Sequence, residues 1–83
     1  MNTTQLSPVL IALKRRPGCE DVHPDLVMED ALQPGWPWSF VRDEGSAVVV
    51  AIERGEGYER SSATTLAKDV VKPTWLAWSV VKQ

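Results

Sequence analysis

The apolar and polar positions at the start of the chain predict a helix. Ser7 and Pro8 suit the N-cap and the first position of a helix, and the apolar residues 9–13 supply its buried side. The basic residues 14–16 follow, where cations interact favourably with the end of a helix dipole. Because Pro17-Gly18 comes next, the predicted helix ends there.

A second helix is predicted to begin at Pro24 and to continue to about Leu32. Proline is well tolerated in the first turn of a helix. The apolar residues of this segment would face inward and its acidic residues outward. The sequence Gln33-Pro34-Gly35 ends the segment.

After residue 37 the pattern changes to the alternation that is typical of strands, and it predicts an antiparallel β-hairpin. Its strands cover about residues 38–43 and 47–54, with a turn around Gly45 between them. The second strand is rich in valine and is apolar on both sides. We therefore expect it to be central in a sheet or covered by helices.

A third helix is predicted over about residues 62–72, where Leu66, Val70 and Val71 recur at helical spacing. The end of the chain, residues 74–83, is ambiguous. Its composition favours a strand, whereas Trp75 and Trp78 continue the helical spacing of the preceding segment.

Together these patterns predict a small α+β fold in which residues 1–83 form a single compact domain. The expected elements are two N-terminal helices, the hairpin, the third helix and a C-terminal strand or helix. We expect no internal repeat and no linker in the sequence.

The size of the chain limits the functions that it can have. A chain of 83 residues buries a small core and has little room for a deep substrate cavity, so we predict that it is not an enzyme. Cys19 is the only cysteine, which excludes an intrachain disulfide and fits a reducing cytoplasm. The apolar stretch 9–13 is too short to cross a bilayer, so we expect no membrane interaction.

Charge is distributed unevenly along the chain. The net charge is −2, but residues 19–59 carry −8 between basic ends of +3 each. An acidic balance argues against direct binding to nucleic acid, which rests on basic surfaces. Carboxylates on one face can imitate a row of phosphates and occupy a basic groove of another protein. The plainer interpretation is a solvated acidic surface.

The loop from Cys19 to Asp25 holds the densest set of potential metal ligands. A structural zinc site needs four ligands, mostly cysteine and histidine, whereas this chain has one of each in Cys19 and His23. A cysteine nucleophile also needs an oriented base and an oxyanion site, and no motif here indicates them. We therefore predict no metal site, no cofactor and no catalytic residue.

Four tryptophans are the most informative residues, because together with Phe40 and Tyr58 they exceed what a small core easily hides. The plainer interpretation is that two or three of them build the core. The functional interpretation is that one pair, Trp36/Trp38 or Trp75/Trp78, is partly exposed and docks on a partner or on a second copy.

These patterns favour a small non-catalytic module that binds a larger protein and inhibits or modulates it by occupying its surface. A nucleic-acid-handling protein would be one such partner, and a homodimer is compatible with the sequence. The size is typical of accessory proteins of phages and mobile elements. The predicted partner-binding residues are Trp36, Trp38, Trp75, Trp78, Glu20, Asp21, Asp25, Glu29 and Asp30.

The alternative is a small dimeric DNA-binding transcriptional regulator. Residues 63–71 and 73–81 would then form a pair of helices like a helix-turn-helix. The second of these segments offers almost no side chain that reads base edges. Binding would depend on basic residues from both ends of the chain coming together in space.

Overall fold

The computed structural model describes residues 8–55 and 57–81, which form a four-stranded antiparallel sheet and two helices. The elements in chain order are β1 (Val9–Lys14), α1 (Pro24–Ala31), β2 (Trp38–Asp43), β3 (Ala47–Ile52), α2 (Ala63–Val70) and β4 (Trp78–Val80). The strands lie in the order β2-β3-β1-β4. This combination of element order and strand order is the split βαβ, or ferredoxin-like, topology. Within the described ranges, neither helix has the length and apolar character to span a bilayer.

The predicted N-terminal helix is wrong, because residues 9–14 form β1, a central strand of the sheet. Ile11 and Leu13 are fully buried, while Leu10 and Ala12 on the opposite face are half-buried. A strand that is apolar on both faces lacks the clean alternation by which strands are recognised. The predicted N-cap, Ser7, lies outside the described residues.

The predicted architecture as a whole is also wrong: the described chain has two helices and four strands rather than at least three helices and a hairpin. The hairpin consists of β2 and β3, and the two helices are α1 and α2. The ambiguous end of the chain forms a strand, β4, which pairs with β1. Without a helix after α2, the helix-turn-helix alternative loses its recognition element.

The core lies between the sheet and the two helices. α1 buries Val27, Met28 and Ala31, and α2 buries Leu66, Ala67 and Val70. These side chains pack on one face of the two central strands, where Ile11, Leu13, Val48, Val50 and Ile52 are fully buried.

Contrary to our expectation, the sequence contains an internal repeat. Residues 9–37 align with residues 48–76 at a spacing of 39 positions, and the extra residue Ala77 then shifts the spacing to 40. Eleven aligned pairs are identical. They are Val9/Val48, Ala12/Ala51, Arg15/Arg54, Gly18/Gly57, Glu20/Glu59, Asp30/Asp69, Pro34/Pro73, Trp36/Trp75, Trp38/Trp78, Ser39/Ser79 and Val41/Val81.

The strand pairing follows this repeat. Ile11 and Leu13 of β1 pair with Val80 and Trp78 of β4. Their counterparts in β3, Val50 and Ile52, pair with the counterparts of those partners in β2, Phe40 and Trp38. The domain therefore consists of two β-α-β halves related by an approximate two-fold axis.

The segments that follow the two helices meet at this axis. Leu32 and Val71, which are equivalent, form an isolated antiparallel bridge with each other. The amide of Gln33 donates to the carbonyl of Val70 at 2.8 Å, and the amide of Lys72 donates to the carbonyl of Ala31 at 2.7 Å. These two hydrogen bonds are equivalent and join the halves on the helical side of the sheet.

The loops before the two helices are built in the same way. Arg15 donates to the carbonyl of Val22 at 2.6 Å, and the equivalent Arg54 donates to the carbonyl of Ser61 at 2.6 Å. Gly18 and Gly57 occupy equivalent turns. In each half, an arginine at the end of a central strand therefore holds the loop that leads into the helix.

The central position of β1 in the sheet predicts how a mutation in this strand changes the free energy of unfolding. We expect Ile11→Ala to lower the free energy of unfolding by about 2–5 kcal/mol, because the fully buried side chain leaves a cavity in the core. The control, Leu76→Ala, removes an apolar side chain that is 86% exposed and should change it by less than about 0.5 kcal/mol. Urea unfolding measures both, and equal effects would contradict the placement of β1.

Candidate functional site

The five predicted carboxylates lie in α1 and in the loop before it, and we call their surface the acidic face. Glu20 and Asp21 belong to the loop before α1, and Asp25, Glu29 and Asp30 belong to α1 itself. All five residues are exposed. Among the described residues, no lysine or arginine side chain forms a salt bridge with any of them. None of the five carboxylates is therefore held in a salt bridge by a described lysine or arginine.

An apolar side chain lies within the acidic face. Leu26 is 53% exposed, although it belongs to α1 and is flanked in sequence by Asp25. The start of the helix is fixed by His23, whose Nδ1 accepts a hydrogen bond from the amide of Asp25 at 3.1 Å. This capping bond orients the first turn and with it the side chains of the face.

The four tryptophans differ in exposure. Trp75 is buried, with 5% of its surface exposed, whereas Trp36, Trp38 and Trp78 are half-buried and pack against the core. The indole N–H of Trp36 donates to the carbonyl of Glu53 at 3.0 Å. Most of this aromatic surface therefore belongs to the core, and each half-buried ring leaves part of its surface accessible.

Two concavities next to α1 bring predicted residues together. The first, which we call the Cys19 cavity, has a volume of about 70 Å³, and the second, the Trp38 groove, has about 430 Å³. The cavity is lined by Arg15, Arg16, Cys19, Val22, Val27, Asp30 and Trp75. The groove is lined by Met28, Glu29, Leu32, Gln33, Pro34, Gly35 and Trp38. Each concavity thus combines one carboxylate of α1 with one tryptophan.

Several residues that line the Cys19 cavity have polar groups without a partner among the described residues. The carboxylate of Asp30 and the thiol of Cys19 form no hydrogen bond with a described residue, and the buried Nε1 of Trp75 has no acceptor there. A buried donor without an acceptor is unfavourable. The guanidinium of Arg16 lies over the Trp75 ring, 4.8 Å from its centroid, in a cation–π contact. The cavity therefore offers an acceptor, a thiol and an aromatic wall.

Arg15 forms one wall of this cavity and is held by Asp43 and Gly45 in addition to the carbonyl of Val22. Its Nη1 donates to Asp43 Oδ1 and to the carbonyl of Gly45, both at 2.7 Å, and its Nη2 donates to Asp43 Oδ2 at 3.0 Å. The side chain of Arg15 is 3% exposed. This two-pronged contact, with the Gly45 amide, lowers the pKa of Asp43 from 3.8 to about 2. The same contact raises the pKa of Arg15.

The sequence predicted only two of the residues that line the cavity, Asp30 and Trp75. It missed Arg15, Arg16 and Cys19, which lie in the loop after β1 and approach Trp75 through the pairing of β1 with β4. The internal repeat was the available signal, since it makes Arg15 equivalent to Arg54 and Trp75 equivalent to Trp36. Within the described ranges, no cluster of three or more histidine, cysteine or acidic side chains is arranged to hold a metal ion.

Comparison with known proteins gives no relative: no protein-family model, no curated protein and no solved structure matches the chain.

The lowered pKa of Asp43 makes a prediction about acid stability. Because this pKa is lower in the folded protein, the carboxylate stabilises the fold above about pH 4, and this contribution is lost as the pH falls towards 2. We expect Asp43→Asn to be less stable than the wild type at pH 7, and this difference to become small as the pH falls to 2. Chemical unfolding at several pH values measures this difference, and a pH-independent difference would contradict the role of the Arg15–Asp43 contact.

Proposed function

We propose that this protein is a non-catalytic module that binds a larger protein through the acidic face and the two concavities beside it. One observation supports the proposal most directly: each concavity pairs a carboxylate of α1 with a tryptophan. In the Cys19 cavity these are Asp30 and Trp75, and in the Trp38 groove they are Glu29 and Trp38. Protein interfaces usually combine charged groups, which orient the partner, with aromatic side chains, which supply much of the affinity.

The chemistry of the face indicates a basic partner. Five carboxylates that form no salt bridge with a described lysine or arginine attract a surface rich in lysine or arginine and speed its association. Leu26 adds an exposed apolar contact at the centre of this surface. Two copies of this face would repel each other, so we propose a different protein as the partner. A basic groove that otherwise binds nucleic acid has the required charge.

A non-catalytic role is consistent with the contacts of Cys19 and His23. The Nδ1 of His23 is engaged as the cap of α1, and no hydrogen bond joins it to the Cys19 thiol. A cysteine nucleophile requires a base within hydrogen-bonding distance. The free thiol also leads us to propose a reducing compartment, such as the cytoplasm, as the site of action.

The test combines capture of a partner with charge-matched variants. The immobilised protein is used to isolate partners from the source cells, and binding of the purified partner is then measured by calorimetry. Asp25→Asn combined with Glu29→Gln removes two charges from the acidic face. Glu44→Gln combined with Glu53→Gln removes two charges from exposed positions outside it and is the control, although Glu44 also accepts a hydrogen bond from Arg42 at 2.7 Å.

We expect the first variant to bind its partner about tenfold more weakly, which corresponds to about 1.4 kcal/mol. The control should bind like the wild type, and added salt should slow the association of the wild type. Leu26→Ser should also weaken binding, without changing the dependence on salt. Equal effects of the two charge variants would overturn the assignment of the acidic face.

A further inference from the structure

The internal repeat shows what occupies the counterpart of the Cys19 cavity in the other half of the domain. Tyr58 is the residue equivalent to Cys19. Its ring meets Trp36 edge to face, with 5.3 Å between the centroids and an interplanar angle of 73°. Its hydroxyl donates to Asp69 Oδ2 at 2.7 Å, and this bond raises the pKa of Tyr58. A phenol ring therefore lies between a tryptophan and an aspartate.

Both of these partners have identical counterparts in the Cys19 cavity. Trp36 corresponds to Trp75, and Asp69 corresponds to Asp30. The backbone of the two loops is also equivalent, since the amides of Cys19 and Tyr58 donate to the carbonyls of Arg16 and Gly55 at 2.9 and 3.0 Å. The two halves therefore differ in the side chain between the tryptophan and the aspartate, a phenol in one and a small thiol in the other.

Because Cys19 stands where the other half has Tyr58, its half of the domain has an empty space and an acceptor, Asp30, that is not used. The cavity of about 70 Å³ is well above the roughly 10–15 Å³ that a water molecule needs, so it has room for part of an organic group. Asp30 lines it without a hydrogen bond to any described residue, whereas Asp69 accepts one from Tyr58. Arg16 covers one side of the Trp75 ring, where the other half has Gly55.

We infer that the Cys19 cavity binds the side chain of a tyrosine supplied by the partner. The phenol ring packs against Trp75, as Tyr58 packs against Trp36, and its hydroxyl donates to Asp30, as that of Tyr58 donates to Asp69. The inference rests on the proposed function for the source of the tyrosine, because the cavity opens beside the acidic face. The phenol chemistry itself rests on the geometry of the equivalent half alone.

The cavity is tested without the partner, using p-cresol as the probe and NMR shifts of the backbone and indole N–H groups as the readout. We expect p-cresol to shift the signals of Trp75 and of the loop after β1, with a Kd on the order of 1 mM. Toluene, which lacks the hydroxyl, should bind more weakly. Asp30→Ala should reduce the affinity for p-cresol to that for toluene, and an unchanged preference would overturn the role of Asp30.

Two exchanges between the halves test the equivalence. Cys19→Tyr should fill the cavity and abolish the shifts caused by p-cresol. Tyr58→Cys should open the equivalent cavity, so that p-cresol also shifts the indole signal of Trp36. If Cys19→Tyr does not fold, Tyr58→Cys still decides the question, and the inference is wrong if p-cresol produces no new shifts at Trp36.

A third comparison identifies the source of the phenol. N-acetyltyrosinamide, a model for tyrosine within a protein, should bind at least as well as p-cresol and better than N-acetylphenylalaninamide. If p-cresol binds and N-acetyltyrosinamide does not, the cavity takes free phenols and the inference of a partner tyrosine is wrong. Failure of these probes would leave the charge variants of the acidic face unaffected, so the two proposals are separable.

Discussion

The position of the acidic face depends on one partly buried contact, the two-pronged hydrogen bonding of Arg15 to Asp43. Through it a single guanidinium joins the end of β1 to the turn of the β2–β3 hairpin and, by its bond to Val22, to the loop before α1. A guanidinium that is 3% exposed needs an opposite charge close by to be stable. Because Asp43 supplies that charge, the hairpin turn fixes the loop that precedes α1.

Local sequence patterns predicted the helices and strands that have an amphipathic face or a capping residue. They failed for strands whose structure depends on pairing with distant parts of the chain. The amphipathic stretches around α1 and α2 and the valine-rich β3 have a local signature. β1 does not, because a strand between two others is apolar on both sides and is easily mistaken for a short helix. The same pairing draws β4 into the sheet, although Trp75 and Trp78 suggested helical spacing.

The sequence likewise predicted some residues of the candidate site and missed others. Composition identified the tryptophans and carboxylates, and the structure brings Asp30 to Trp75 and Glu29 to Trp38. Composition does not show which rings enter the core, since tryptophan serves both core and surface. Nor does it show that Cys19 matters through its small size, which becomes apparent only beside Tyr58.

The reciprocal hydrogen bonds at the two-fold axis have a consequence for the history of the chain. Gln33 and Lys72 each donate to the opposite half, so these two hydrogen bonds across the axis join equivalent groups. A peptide of half this length would carry both sides of these contacts and could assemble the same sheet as a symmetric pair. Joining two such copies in one chain allows them to diverge. One loop can then keep its tyrosine, while the other carries a small residue and leaves a cavity for a tyrosine of another protein.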